Sequence, residues 1–336
     1  MDTVNDPQVT TDATAYWTIE PRTGELRHEQ LPQPGVDEAR VRTLYSGISR
    51  GTESLVHAGD VPESVADIMR APNQVGSFPF PVKYGYLNVG VVEDGPDSWL
   101  GRRVFSLFPH QDQYIAPLSS LTRLPDELPS RRALLAGAVE TAINAIWDSP
   151  PLYGDRIAVV GSGLIGGSVA VLLSQFPVER LQIVDPDPAK EHFAQKLGLR
   201  AEWVHPDDAL EDCDVVYHAS ASESGLATAL SLLGVEGEMV ELSWYGERTP
   251  QVPLGANFHA RRLTIRASQV SQVAAARRAR KTAADRMDLV LTALENPVFD
   301  ELLGSDHSFW QLPDVMERLH SSTPSGRLEI VDYETT

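Results

Sequence analysis

Cysteine is nearly missing from these 336 residues: Cys213 is the only one. That excludes an intrachain disulfide and a thiolate zinc cluster. It also fits a reducing compartment, so a cytoplasmic location is expected. Basic side chains are scarce beside acidic ones, 28 against 47, giving a formal net charge of −19. A polyanion is repelled by such a field, so no nucleic-acid partner is expected. The opening stretch "MDTVNDPQVTTDATAY" lacks an apolar core and reads as a loose polar tail, not a signal peptide. Internal repeats and low-complexity tracts are absent. Residues 157–178, "IAVVGSGLIGGSVAVLLSQFPV", carry no charge and approach a membrane-spanning length. Gly161, Ser162 and Gly163 break that run into a β-branched stretch and a helical one, so a buried strand–turn–helix explains it better than a membrane span.

What is present suits two moderate domains: the length exceeds one average domain, and a hydrophobic share of 42% supports a sizeable core. From residue 15 to about 135 the chain is rich in Pro, Gly and short alternating runs. "ARVRTLYSG" (39–47), "VKYGYLNVGVVE" (82–93), "RRVFSLF" (102–108) and "DQYIAPL" (112–118) read as strands of a mostly β region, a distorted barrel. Residues 131–148 have helical spacing. From Arg156 to about Arg266 strands ("RIAVV", "RLQIVD", "CDVVYHAS", "EMVELSW", "RLTIRA") alternate with helical stretches near 164–176, 188–197 and 223–233. That alternation is the signature of a parallel sheet covered on both faces. A long helix is expected over 273–294, then short elements ending in the strand-like "GRLEIVDY".

"RIAVVGSGLIGGSVAVLL" supplies G-x-G-x-x-G as Gly161, Gly163 and Gly166, directly after a buried-type strand and at the opening of a helix. Gly161 permits the tight turn, Gly163 lets the backbone approach a pyrophosphate, and Gly166 lets the helix pack on the sheet. The exposed amides of the loop and first turn, from Ser162 through Leu164 and Ile165, then face an anion. Asp185 ends the second strand, 24 residues beyond Gly161 (185 − 161). A carboxylate there accepts hydrogen bonds from ribose hydroxyls and repels a 2′-phosphate, which favours NAD(H) over NADP(H). Lys190 and Arg200 lie close in sequence and bear on that preference. Later strand ends, His218 to Ser220 and Ser243 to Gly246, are expected to border the ribose and nicotinamide. Trp244 and Tyr245 also read as ordinary loop aromatics.

Taken with "SGISRGTES", "GYLNVGVVE", "GAVETAINAIWD" and "LTIRASQV", the chain resembles the medium-chain dehydrogenase/reductase superfamily of zinc alcohol dehydrogenase type over nearly its whole length. It is most similar to the branch containing bacteriochlorophyllide-a hydroxyethyl dehydrogenase. The resemblance implies an α/β fold: a GroES-like, β-rich substrate domain (1–137, completed by a return segment 276–336) and a Rossmann domain (138–275) with a doubly wound parallel sheet. It also implies an active site in the cleft, hydride transfer between nicotinamide and a small-molecule substrate, and a homodimer joined through "RLTIRASQV".

At the places matching the family's zinc ligands this chain has Ser49, Tyr86 and Glu140, with one residue inserted after Ser49. Hydroxyls are poor zinc ligands at neutral pH, so no zinc is expected. A developing alkoxide then needs a proton or hydrogen-bond donors. Tyr86 is the leading acid/base candidate. Ser49 and Thr52 are expected to relay its proton, Glu140 to orient a neighbour, and Arg50 and Lys83 to lower the tyrosine pKa or bind an anionic substrate. Phe78, Phe80 and Tyr84 would shape a hydrophobic pocket. His57 reads as structural, and Arg277, Arg278, Arg280, Lys281 and Arg286 as a solvated helix face. The reading is a zinc-independent, NAD(H)-dependent oxidoreductase acting on an alcohol/ketone pair or an activated double bond. Two alternatives stand beside it: a non-catalytic NAD(H) sensor or scaffold, and an NADPH quinone reductase.

Overall fold

The computed structural model describes residues 10–198, 201–321 and 326–335. The chain divides into two compact units: 1–134 with 305–323 and 329–336, and 135–304 with 324–328. The first boundary lies close to residue 137. Residues 276–304, expected in the return segment, lie instead in the second unit.

The first unit is built on two sheets. One has the strand order 23–31, 11–20, 82–83, 75–76; the other has seven strands, with Glu38–Ile48 pairing Asn88–Asp94, Gln113–Pro117 and Leu328–Asp332. Of the stretch expected as a loose tail, residues 1–9 lie outside the described residues, and from Thr11 onward the chain is a strand. Its β-branched and aromatic residues favour extension, and Ala13 to Tyr16 are buried against the hairpin partner Thr23–Leu31. A helix, α1 (Arg50–Ala58), follows the long strand, ends at Gly59 in the left-handed conformation, and carries Thr52, Glu53 and His57.

In the second unit six parallel strands are labelled β1 (Arg156–Val160), β2 (Arg180–Val184), β3 (Ala201–Val204), β4 (Cys213–His218), β5 (Leu233–Glu241) and β6 (Thr264–Ala267). Their order is β3-β2-β1-β4-β5-β6. The inner strands are apolar because both faces are covered: Ile157, Val159, Leu181, Ile183, Val216 and Val240 are fully buried. The order reverses between β1 and β4, and ligands of open α/β sheets bind in the crevice beyond such a switch point. Helices α2 (Ala136–Asp148), α3 (Leu164–Leu173) and α4 (Glu223–Ser231) pack on this core. Residues 157–178 are thus strand, turn and helix, and no helix among the described residues is long and apolar enough to cross a membrane.

The helix expected over 273–294 is shorter: α5 is Ala283–Ala293, and the stretch before it forms turns. Arg277, Arg278, Arg280 and Lys281 would repel one another at spacings of three and four on a helix. Thr282 and Asp285 form a capping box that starts the helix after them.

Candidate active site

In the second unit the glycine turn is set by close approach. Gly161 has φ +91°, and a Cβ there would lie 2.7 Å from the backbone of Ser220 at the end of β4. Helix α3 begins at Gly163 with no side-chain cap, so the amides of Leu164, Ile165 and Gly166 head an uncapped first turn. A Cβ on Gly163 would meet nothing nearer than Gly326, at 3.9 Å. This is a bare amide cradle at the positive end of a helix, suited to an anion.

Asp185 does more than the sequence suggests. Its Oδ2 accepts from the Ser162 amide (2.8 Å) and the Ser162 hydroxyl (2.9 Å), and its Oδ1 accepts from the Asp187 amide (3.0 Å). The carboxylate therefore ties the glycine turn to the end of β2, with acceptor capacity left over. A cavity of about 340 Å³ adjoins, lined by Ser162, Asp187, Lys190, Phe193, Leu302 and Arg327 among others. Burial pushes the Lys190 ammonium down, against the opposing pull of Asp185 and Asp187. Arg327 was not anticipated. It opens the closing "GRLEIVDY" strand, and a cation beside a glycine was the available signal. Arg200 lies outside the described residues.

At the neighbouring strand ends, buried His218 contacts Glu241 through Nδ1 and the Ser220 hydroxyl through Nε2 (2.7 Å). The Ser243 hydroxyl accepts from the Ala221 amide at 3.0 Å. Trp244 and Tyr245 are half-buried in the loop after β5.

In the first unit Tyr86 is half-buried in the loop before Asn88–Asp94, edge-on to Tyr84 at 6.0 Å. The Ser49 and Thr52 side chains approach its phenol and oppose the rise in its pKa. The structure thus brings Ser49, Thr52 and Tyr86 together. Sequence reasoning missed what lies behind them. The buried Glu53 carboxylate accepts from the Ser49 amide (2.8 Å) and contacts His110 Nε2 (2.8 Å). His110 Nδ1 meets Ser46 Oγ at 2.7 Å, and Ser46 meets the Tyr333 hydroxyl at 2.9 Å. Glu53 sits in the very turn that draws attention to Ser49. His110 comes from 57 positions away and carries no local motif.

Two expectations are corrected. Tyr86 is not lowered by Arg50 and Lys83. Burial, then the Glu53 charge, push it up to about 12, against the hydrogen bonds from Ser49 and Thr52. Lys83 is buried and committed to Glu29 (2.7 Å) and Gln111 (2.8 Å), while Arg50 bonds the Leu319 carbonyl. Arg286 is no solvated cation either. It is 3% exposed and grips Glu140 at 3.0 and 3.1 Å. Glu140, in the second unit, orients this arginine. Burial raises its carboxyl while Arg286 opposes the rise. His57 is buried and pairs through Nδ1 with His320 Nε2 at 3.0 Å, which agrees with a structural role. Phe78 and Tyr84 are in contact, their rings 5.8 Å apart. Among the described residues no three His, Cys, Asp or Glu side chains gather as metal ligands.

No family model matches the chain. A stretch of 146 residues is 25% identical to an uncharacterized zinc-type alcohol dehydrogenase-like protein of Haemophilus influenzae, covering 40% of this chain and 42% of the relative. The chain thus spans about two fifths of the curated relative it matches. Solved structures match over nearly the whole chain at low identity. L-idonate 5-dehydrogenase of Escherichia coli K-12 has a TM-score of 0.78 at 14% identity, over 98% of this chain and 100% of that one. A putative zinc-binding dehydrogenase of Sinorhizobium meliloti bound to NADP reaches 0.76 at 17%, over 96% and 99%. An alcohol dehydrogenase of E. coli CFT073 complexed with NADH reaches 0.75 at 15%, over 96% and 99%. The chain has the fold shared by these dehydrogenases, in line with the resemblance its sequence carries to the medium-chain dehydrogenase/reductase superfamily.

Proposed function

We propose that this chain is an oxidoreductase that binds NAD(H) in its second unit and transfers hydride to or from an alcohol/ketone carbon or an activated double bond, without zinc. One observation carries the reading: the glycine turn, closed against Ser220 and tied to Asp185, leaves an uncapped helix start beside a cavity that holds Lys190 and Arg327. The amides of Leu164, Ile165 and Gly166 and the two cations suit a pyrophosphate. Asp185 and Asp187 favour ribose hydroxyls over a 2′-phosphate, which supports NAD(H) and weighs against an NADPH quinone reductase. Ser220 and Ser243 lie at strand ends of the same crevice. When bound, the nicotinamide supplies or accepts the hydride.

The chain's own residues handle the proton. Tyr86, at about 12, is a neutral phenol at physiological pH, so it donates to a developing alkoxide or carbanion and takes the proton back in the reverse direction. Ser49 and Thr52 hold the phenol in place and relay its proton. The donor set does not fit zinc: two neutral hydroxyls and a high-pKa phenol are poor ligands, and Glu140 is committed to Arg286. For the expected homodimer, β6 ends the sheet order and is exposed at all four residues, so its outer rim is open to a partner strand.

Replacing Tyr86 with Phe tests the assignment. Turnover against a panel of ketones, aldehydes, quinones and enones should fall about a hundredfold while NADH binding persists. Intact turnover would remove Tyr86 from the mechanism. Tight NADH binding with no hydride transfer to any acceptor in the panel would favour a sensor instead.

A further inference from the structure

The ends of β4 and β5 hold a second constellation that hydride transfer does not require. His218 and Glu241 are register partners on adjacent parallel strands. The Glu241 carboxylate lies 2.8 and 3.0 Å from His218 Nδ1, and its Oε1 also accepts from the Ser243 amide at 2.7 Å. A carboxylate only accepts here, so Nδ1 carries a proton, and in the neutral ring Nε2 is then the acceptor. The Ser220 hydroxyl sits 2.7 Å from that nitrogen and donates to it. His218 is fully buried, which fixes its orientation, whereas Ser220 is partly open to solvent.

Ser220 is also held from the turn that follows it. Its oxygen accepts from the Ser222 amide (3.2 Å) and lies 2.9 Å from the Ser222 hydroxyl. Ala221 follows in the left-handed conformation (φ 51°), making a sharp strand-to-helix turn, and α4 begins two residues later with its positive end nearest the turn. A second cavity of about 340 Å³ is lined by Glu223, Tyr245, Glu247, Arg248, Thr249 and Pro250, on the segments that follow Ser222 and Ser243. Orienter, base and hydroxyl stand at the distances that acyl-transfer sites require, and such sites are defined by geometry, not by order along the chain.

We propose that Ser220 is an activated nucleophile, with His218 as its base and Glu241 as the orienting carboxylate, and that it takes acyl groups from small activated carboxylic esters. Ser220 Oγ forms a bond to the carbonyl carbon as its proton passes to His218 Nε2. The bond from that carbon to the leaving oxygen breaks, and the leaving oxygen receives the proton. Water, deprotonated by the same nitrogen, then cleaves the acyl-serine and restores the hydroxyl. No oxidant or reductant is needed, so this activity goes beyond the dehydrogenase reading and survives its failure.

The test treats the full chain with p-nitrophenyl acetate, and separately with a fluorophosphonate probe, at neutral pH and maps adducts by peptide mass spectrometry. The expected result is selective modification of Ser220 in the folded chain and loss of that selectivity in urea. His218→Gln should slow modification about a hundredfold or more, and Glu241→Gln should also slow it. The wild-type arm decides even if a variant fails to fold. An unmodified Ser220, labelling no more selective than in urea, or equal rates in wild type and His218→Gln would each overturn the proposal and leave the three residues as a polar brace for the turn.

Discussion

Replacing Arg286 with Met decides whether Glu140 is a structural or a chemical residue. The guanidinium is 3% exposed and donates to Glu140 (3.0 and 3.1 Å), to the Asn144 side chain (2.5 Å) and to the Val270 carbonyl (2.8 Å). Met keeps much of the aliphatic volume but leaves the Glu140 carboxylate buried without its counter-charge. Breaking one side of a buried pair costs about 3–5 kcal/mol, a large part of a total stability of about 5–15 kcal/mol. Removing both partners, as Glu140→Met with Arg286→Met, strands no charge and should recover most of the loss. The double-mutant cycle in urea should therefore give a coupling of about 2 kcal/mol or more. A pH arm checks the cause. Burial already raises the Glu140 carboxyl while Arg286 opposes it, so without Arg286 the folded-state pKa rises further above the unfolded one. The folded variant then holds more protons than the unfolded chain. Its stability should improve as pH falls from 7 towards 5, and be lost as pH rises through the folded pKa. Additive single losses, or a cost below about 1 kcal/mol for Arg286→Met, would refute the structural reading and return Glu140 to the list of groups free for chemistry.

Three more outcomes follow from the geometry. Gly161→Ala should weaken NADH binding and cost about 1–3 kcal/mol, because the new Cβ must enter at φ +91° and sit 2.7 Å from the Ser220 backbone; unchanged calorimetric affinity and melting would show that the turn can relax. Glu53→Gln should lower the Tyr86 pKa from about 12 yet leave it above 10, since burial outranks the Glu53 charge; an ultraviolet titration unmoved by the substitution would remove Glu53 from that role. Burial, with His320 and Arg22 adding to it, pushes His57 down to about 4 from 6.5, so between those values the unfolded chain binds the extra proton and stability rises with pH. Up to about 3 kcal/mol present at pH 7 is then lost as pH falls through that window, and His57→Gln should flatten the slope of the urea midpoint.

What the sequence made legible was whatever physics writes locally. Gly161 and Gly166 must be glycines because neighbouring backbone occupies the space a side chain needs, and with Gly163 between them the run announces itself. The alternation of apolar strands and helices from Arg156 onward is likewise a local consequence of burial on both faces. Pairing across the chain left no such trace. Glu53 reaches His110 over 57 positions and Arg286 reaches Glu140 over 146, and no local pattern announces either pairing. The basic run before α5 failed in the opposite sense. Its composition favours a helix residue by residue, but four cations packed at helical spacing repel, and Thr282 with Asp285 starts the helix only beyond them. The same distinction accounts for Tyr86. Its place in the "GYLNVG" motif marked it as chemically interesting, yet the direction of its pKa rested on a carboxylate that the motif does not contain and on a depth of burial that no short window encodes. A site of this kind is therefore read in two steps: local motif picks the residue, and long-range packing decides whether it is an acid or a base.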